Sequence, residues 1–116
     1  MKRSPKRRLQ LKADKALQEW GRRTYEKCLV CGSPMSCLHH YVTKGSSSSL
    51  RYDEENLIPL CQGCHFKHHT SSDPAIHNMI NDIKGKEWRD GLELRRRDFI
   101  KTNMEYYKDI IKKYDL

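Results

Sequence analysis

Four cysteines set the folding problem for this chain. Cys28-Leu-Val-Cys31 and Cys61-Gln-Gly-Cys64 are two knuckles separated by a long insert, and Gly32 and Gly63 suit their tight turns. Each knuckle brings two thiolates within reach of one metal ion, and four thiolates close a tetrahedron that suits Zn²⁺ and leaves no open position for a substrate. Such a site folds a small chain rather than catalysing. A dithiol redox pair is the alternative for either motif alone, but two of them in one basic chain favour structural zinc. Cys37 is left over; beside Leu38 in a strand-like segment it reads as a small buried residue.

The need for a staple follows from composition. The 116 residues fit one domain, yet only 36% are hydrophobic and 33% are charged, so the apolar core is thin. No run of 18 apolar residues exists and no apolar stretch follows the basic N-terminus, so neither a spanning helix nor a signal peptide is expected. The expected location is the cytoplasm, where paired cysteines are more often metal ligands than disulfides.

The net charge is +8, with a pI near 9.4. Residues 1–27 carry +7, residues 28–73 carry −1 and residues 74–116 carry +2. Within residues 1–8, Lys2, Arg3, Lys6, Arg7 and Arg8 surround Ser4 and Pro5 and repel one another, which predicts a flexible arm. It is either a solvated tail or a phosphate-binding arm without sequence preference.

Leu9, Ala13, Ala16, Leu17 and Trp20 share one helical face, so a helix is expected over residues 9 to about 24 with Trp20 in the core. From Lys27 to Cys64 short pieces follow: a strand near 36–42, a Gly45–Ser49 surface loop, and an apolar run over 56–60, together a small ββ unit. A helix then runs from Cys61 through His69. Asp73-Pro74 signals another helix start, Gly85 its end, and Thr102 to Glu105 has the form of a capping box before a stripe of Tyr107, Ile110, Ile111 and Tyr114. Between them Trp88 and Leu92 are helically spaced, and Arg95, Arg96 and Arg97 read either as a solvated run or as a second basic contact. The class is α+β, with residues 9–116 as one domain, a motif core over 27–69 and a helical tail over 74–116. The tail can cover the core or pair with a second copy, so monomer and homodimer both stay open.

Five of six histidines, His39, His40, His65, His68 and His69, bracket the knuckles. Neighbours on a strand point to opposite faces, so His39 and His40 need separate roles. On a helix starting near Cys64, His65 and His69 are four apart and form a chelating pair, with His68 turned elsewhere. His77 lies beyond the motif and reads as bland.

The order Cys28-x-x-Cys31, His39-His40, Asn56-Leu57 and Cys61-x-x-Cys64-His65 resembles the HNH nucleases, over roughly residues 27–69. The His-His pair followed by His-x-x-x-His resembles the version in the DNase colicins. A wider similarity is to phage recombination nucleases of the NinG or Rap type, carried by His40-Tyr41, Leu50-Arg51-Tyr52 with Asn56 beyond, and the helical tail. The resemblance implies a zinc-stapled ββα-metal (His-Me finger) core flanked by helices. It implies His40 as general base, His39, His65 and His69 as ligands of one divalent metal (Mg²⁺, Mn²⁺, Ni²⁺, Co²⁺ or Zn²⁺), and Asn56 as the residue that holds the ββ loop and orients the base. Cleavage of DNA in phage recombination or processing, in the cytoplasm of a bacterial host, is then the expectation, with the basic arm and Arg95 to Arg97 on backbone phosphates. A non-catalytic zinc module that only binds nucleic acid is the competing expectation, and RNA is a further candidate substrate.

Overall fold

Helix α1 (Pro5–Thr24) begins four residues before the expected Leu9. Ser4 supplies the cap, its Oγ accepting from Arg7 N at 3.1 Å, and Pro5 takes the first turn, where a missing N–H costs nothing. Lys6, Arg7 and Arg8 therefore stand on a helix and not in the flexible arm expected over residues 1–8. The computed structural model describes residues 3–70 and 75–115, the side chains of 68–70 excepted. Lys2, the Asp73-Pro74 signal and the side chains of His68 and His69 thus lie outside the described residues.

Strands β1 (Cys37–His40) and β2 (Leu57–Leu60) form an antiparallel pair in which Cys37 faces Leu60 and His40 faces Leu57. They are shorter than the expected runs, and a 3₁₀ turn at Glu54–Asn56, capped by Asp53, replaces the start of the second. Strand alternation sends Leu38, His40 and Leu57 to one face, and Cys37, His39, Ile58 and Leu60 to the other. The first face meets α1 and α5 (Met104–Tyr114), where Ala13, Ala16, Leu17, Leu38, Tyr52, Leu57, Tyr107 and Tyr114 form one buried cluster. Gly21 makes this contact possible: a Cβ there would lie 2.5 Å from Leu38 Cγ.

The second face meets α2 (Gln62–Thr70) and α3 (Ala75–Lys84), with Cys28, Ile58, Leu60, Cys64, Ile76 and Ile80 buried together. Helix α4 (Lys86–Arg95) closes a third cluster of Val42, Leu50 and Leu92. Gly85, at φ 92°, separates α3 from α4 as expected. The terminal helix covers the core, but its cap is Asn103 and not Thr102, since Asn103 Oδ1 accepts from Tyr106 N at 2.8 Å. Trp20 is half-buried against this core, 5.0 Å from the Tyr114 ring.

Candidate metal centre and histidine pocket

The first knuckle turns because Gly32 adopts φ 77°, which lets Gly32 N donate to Cys28 O at 3.0 Å and Cys28 N to Ser33 O at 2.7 Å. The second is the start of α2, where Cys64 N donates to Cys61 Sγ at 3.3 Å. Leu29 N donates to Pro59 O at 2.9 Å and ties the first knuckle to the outer edge of β2. As a result the sulfurs of Cys28, Cys31, Cys61 and Cys64 all lie within 4.8 Å of one another. Tetrahedral zinc with bonds of about 2.3 Å needs sulfurs about 3.8 Å apart, so this cluster could hold such an ion.

Its protonation suits metal capture. Hydrogen bonds from Ser33, and then from Cys61, draw the Cys31 thiol down to about 6, while burial pushes Cys64 up. The Cys31 sulfur is thus the one poised to meet a cation first, and the Cys64 thiol gives up its proton when the ion binds. Cys37 is half-buried outside the cluster, its pKa raised by burial.

The histidines gather beside it. Gln18, Cys37, Leu38, His39, His40, Thr43, Lys44 and His65 line a cavity of about 400 Å³. Gln18 pins its α1 side: Leu38 N donates to Gln18 Oε1 at 2.8 Å and Gln18 Nε2 donates to Leu38 O at 2.9 Å, so one side chain satisfies the free edge of β1. His39 and His65 are brought together with ring centroids 5.6 Å apart. Among the described residues the four cysteines are the sole group of three or more ligating side chains, and the His69 side chain lies outside those residues.

His40 sits on the opposite strand face and is buried, with Nε2 2.8 Å from the Arg51 carbonyl oxygen. A carbonyl only accepts, so Nε2 carries the proton and Nδ1 is left as the acceptor. Burial holds the His40 pKa below the ordinary histidine value; the bond to the Arg51 carbonyl opposes this, and the Lys44 charge reinforces it. The carbonyl is itself held. The Arg51 guanidinium binds Asp14 of α1 through two bonds, 3.1 and 2.6 Å, and Tyr52 Oη donates to the same carboxylate at 2.8 Å.

Asn56, fully buried, closes the loop between the strands. Its Oδ1 accepts from Val42 N at 2.7 Å, and its Nδ2 donates to Val42 O at 2.9 Å and Leu50 O at 3.1 Å. The serine run reads differently from the surface loop expected. Ser47 is buried and donates to Arg96 O at 3.1 Å, Ser49 donates to Arg95 O, and Ser48 Oγ accepts from Ile100 N, so the serines cap the end of α4.

Of the expected phosphate contacts, Arg3 and Arg8 flank a groove between α1 and α5, Lys6 and Arg7 are exposed, and Arg7 donates to Gln10. Arg95 and Arg96 are engaged by carboxylates, Asp53 at 3.0 Å and Glu93 at 3.1 Å, while Arg97 is exposed. Sequence reasoning missed Asp14 and Gln18 and gave Arg51 no role beyond its place in the NinG-type resemblance, because the spacing of these residues carries no local signal. It also passed over His77, whose Nε2 lies 2.8 Å from Tyr41 Oη with the rings stacked at 4.3 Å.

An antiparallel hairpin clasped by four thiols, with helices on both faces and buried histidines at one edge, defines a small α+β protein built round a zinc-type centre. The chain belongs to the family of the bacteriophage lambda NinG protein, whose profile matches residues 2–116. That assignment agrees with the NinG-type similarity of the sequence. No curated protein and no solved structure gives a match. Among the described residues no helix is long and apolar enough to cross a membrane.

Proposed function

We propose that the chain is an HNH-type endonuclease that hydrolyses phosphodiester bonds of DNA. The observation that carries this reading is the bond from His40 Nε2 to the Arg51 carbonyl, 2.8 Å long, in a pocket that His39 and His65 also line. A neutral imidazole with its tautomer fixed and Nδ1 unprotonated is suited to take a proton from attacking water at neutral pH. The proton enters at Nδ1, and the charge that forms on the ring is shared with the Arg51 carbonyl dipole through the Nε2 proton.

His39, His65 and His69 are the proposed holders of one divalent ion. The closeness of the His39 and His65 rings and the all-imidazole donor set fit Zn²⁺, Ni²⁺, Co²⁺ or Mn²⁺ better than Mg²⁺. A bound ion would supply Lewis-acid stabilisation of the pentacoordinate phosphate and of the 3′ alkoxide. Asn56 is a positioning residue here: it holds Val42 and Leu50 and so the loop that ends at Arg51. The four-cysteine zinc then serves the hairpin and takes no part in the reaction.

The test is cleavage of supercoiled plasmid by wild type and His40→Ala after chelation and re-addition of each metal in turn. Metal-dependent nicking that falls by at least about 10²-fold in the variant, with zinc content and DNA affinity unchanged, is the expected result. Equal nicking by both proteins removes His40 as the base. DNA binding without nicking by either, on duplex, branched and single-stranded substrates alike, makes the protein a zinc-stapled binding module instead.

A further inference from the structure

A second groove lies apart from the histidine pocket. It has a volume of about 490 Å³, lies between α1 and α5, and is rimmed by Arg3, Arg8, Lys12, Lys15 and Lys108 with no acidic residue in its lining. Leu9, Leu11 and Met104 give it an apolar floor against which long cationic stems can lie while their heads stay in water.

These charges are poorly compensated. The first turn of α1 holds no acidic residue, so Lys6, Arg7 and Arg8 add to the positive end of the helix dipole instead of offsetting it. Among the described residues no carboxylate pairs with Arg3, Arg8, Lys12 or Lys108, and Lys15 meets Glu19 only at 4.0 Å on an exposed surface. Glu19 and Asp115 lie on the far side of Lys12 and Lys15, in a neighbouring hollow, and the groove itself keeps an excess of positive charge that attracts anions.

Its direction names the anion. Gln18, which lines the histidine pocket, lies one turn beyond Lys15, about 4.5 Å along the helix axis, and Arg8 is about 15 Å back from it. At about 3.4 Å per nucleotide of one duplex strand, that run matches about four nucleotide steps. We infer that the α1/α5 groove binds the phosphodiester backbone of the DNA strand flanking the bond at the histidine pocket, with Lys12, Lys15 and Lys108 as its phosphate contacts. The inference rests on the proposed DNA substrate but not on cleavage. It assigns binding to residues outside the basic N-terminal run and gives α1 two tasks, one wall of the pocket and one of the track.

The experiment is fluorescence anisotropy of the full chain on a labelled DNA duplex across about 50–200 mM salt. Lys12→Gln/Lys15→Gln/Lys108→Gln is compared with a charge-matched variant on exposed sites elsewhere, Lys84→Gln/Lys86→Gln/Lys101→Gln, after both show wild-type zinc content and melting. Three lost phosphate contacts lower the slope of log K against log salt by about 2.7, and the control keeps the wild-type slope. Equal losses in the two variants, an unchanged slope in the first, or no DNA affinity in the wild type overturns the groove. Groove-dependent binding in a protein that nicks nothing upholds the groove and removes only the nuclease.

Discussion

His40 and Arg51 are joined through a backbone atom: the histidine Nε2 proton is held by the Arg51 carbonyl at 2.8 Å. The Arg51 side chain turns the other way, into α1, where Asp14 takes it in two hydrogen bonds and also accepts from Tyr52. A carboxylate from a helix outside the cysteine-histidine motif thus anchors the residue whose carbonyl meets the histidine. Burial works against the Arg51 charge, yet Asp14 outweighs it and leaves the guanidinium pKa raised; burial and Asp14 both raise Tyr52.

Asp14→Ala tests this anchoring. It leaves a guanidinium with only about 15% of its side chain exposed and no counter-charge, which costs about 2–3 kcal/mol of stability by analogy with charged hydrogen bonds. On the proposed nuclease reading, nicking is expected to fall about tenfold, the worth of about 1.4 kcal/mol of misplacement, with metal content unchanged. Denaturant melts and single-turnover cleavage measure the two effects; a variant of full activity shows that the Arg51 carbonyl needs no such support.

Asn56 is a sharper structural test, because its three side-chain bonds are all buried and all to backbone. Asn56→Asp keeps an acceptor for Val42 N but places a carboxylate against the carbonyls of Val42 and Leu50. Asn56→Ala leaves all three groups unpaired. Each variant is expected to lose about 3 kcal/mol or more, given about 1–3 kcal/mol per unsatisfied buried group, with Asp the worse of the two at neutral pH. Equilibrium unfolding reads the order directly, and equal stabilities would mean that water replaces the amide.

The four-cysteine cluster, read as a zinc site, predicts a metal-dependent fold. One Zn²⁺ per chain is expected, and Cys61→Ser or a strong chelator should melt the hairpin, since the cluster joins the first knuckle to α2 across β2. Cys37→Ala should retain the metal. Metal analysis with circular dichroism tests both, and the wild type keeping its melting temperature after complete zinc removal would show that the apolar clusters suffice.

How much of this was legible in the sequence differs by element. The knuckles, the hairpin, Gly85 and the stripe Tyr107, Ile110 and Tyr114 were legible because each rests on local spacing. The start of α1 was misplaced because the charge run masked Ser4-Pro5, a local signal of equal strength. Thr102 and Asn103 competed for one cap, and the amide won. The serine run looked like a free loop since its partners are carbonyls at the end of α4, nearly 50 residues on. Asp14, Gln18 and the part played by Arg51 escaped notice for the same reason. Their partners lie 37, 20 and 37 residues away, and no periodicity encodes a tertiary hydrogen bond.

His77 gives the last prediction, on pH and stability. Its pKa is lowered, first by burial and then by the nearby Arg89 charge. Burial also keeps Tyr41 protonated, so its hydroxyl can donate to a neutral His77 Nε2. A folded-state pKa below the unfolded value of about 6.5 means that the unfolded chain binds the proton more tightly, so stability rises with pH through this window. The contribution of His77 is therefore complete above about pH 6.5 and is lost as pH falls through the folded value. Replacing it with asparagine removes a stacked ring at any pH, but the stability gap between wild type and His77→Asn should be wider at about pH 7.5 than at about pH 5. Urea unfolding of both proteins at the two pH values measures that gap. His40 and the thiols titrate alike in both chains and cancel in the difference, so a gap that stays constant or widens in acid would place the His77 proton in the folded state instead.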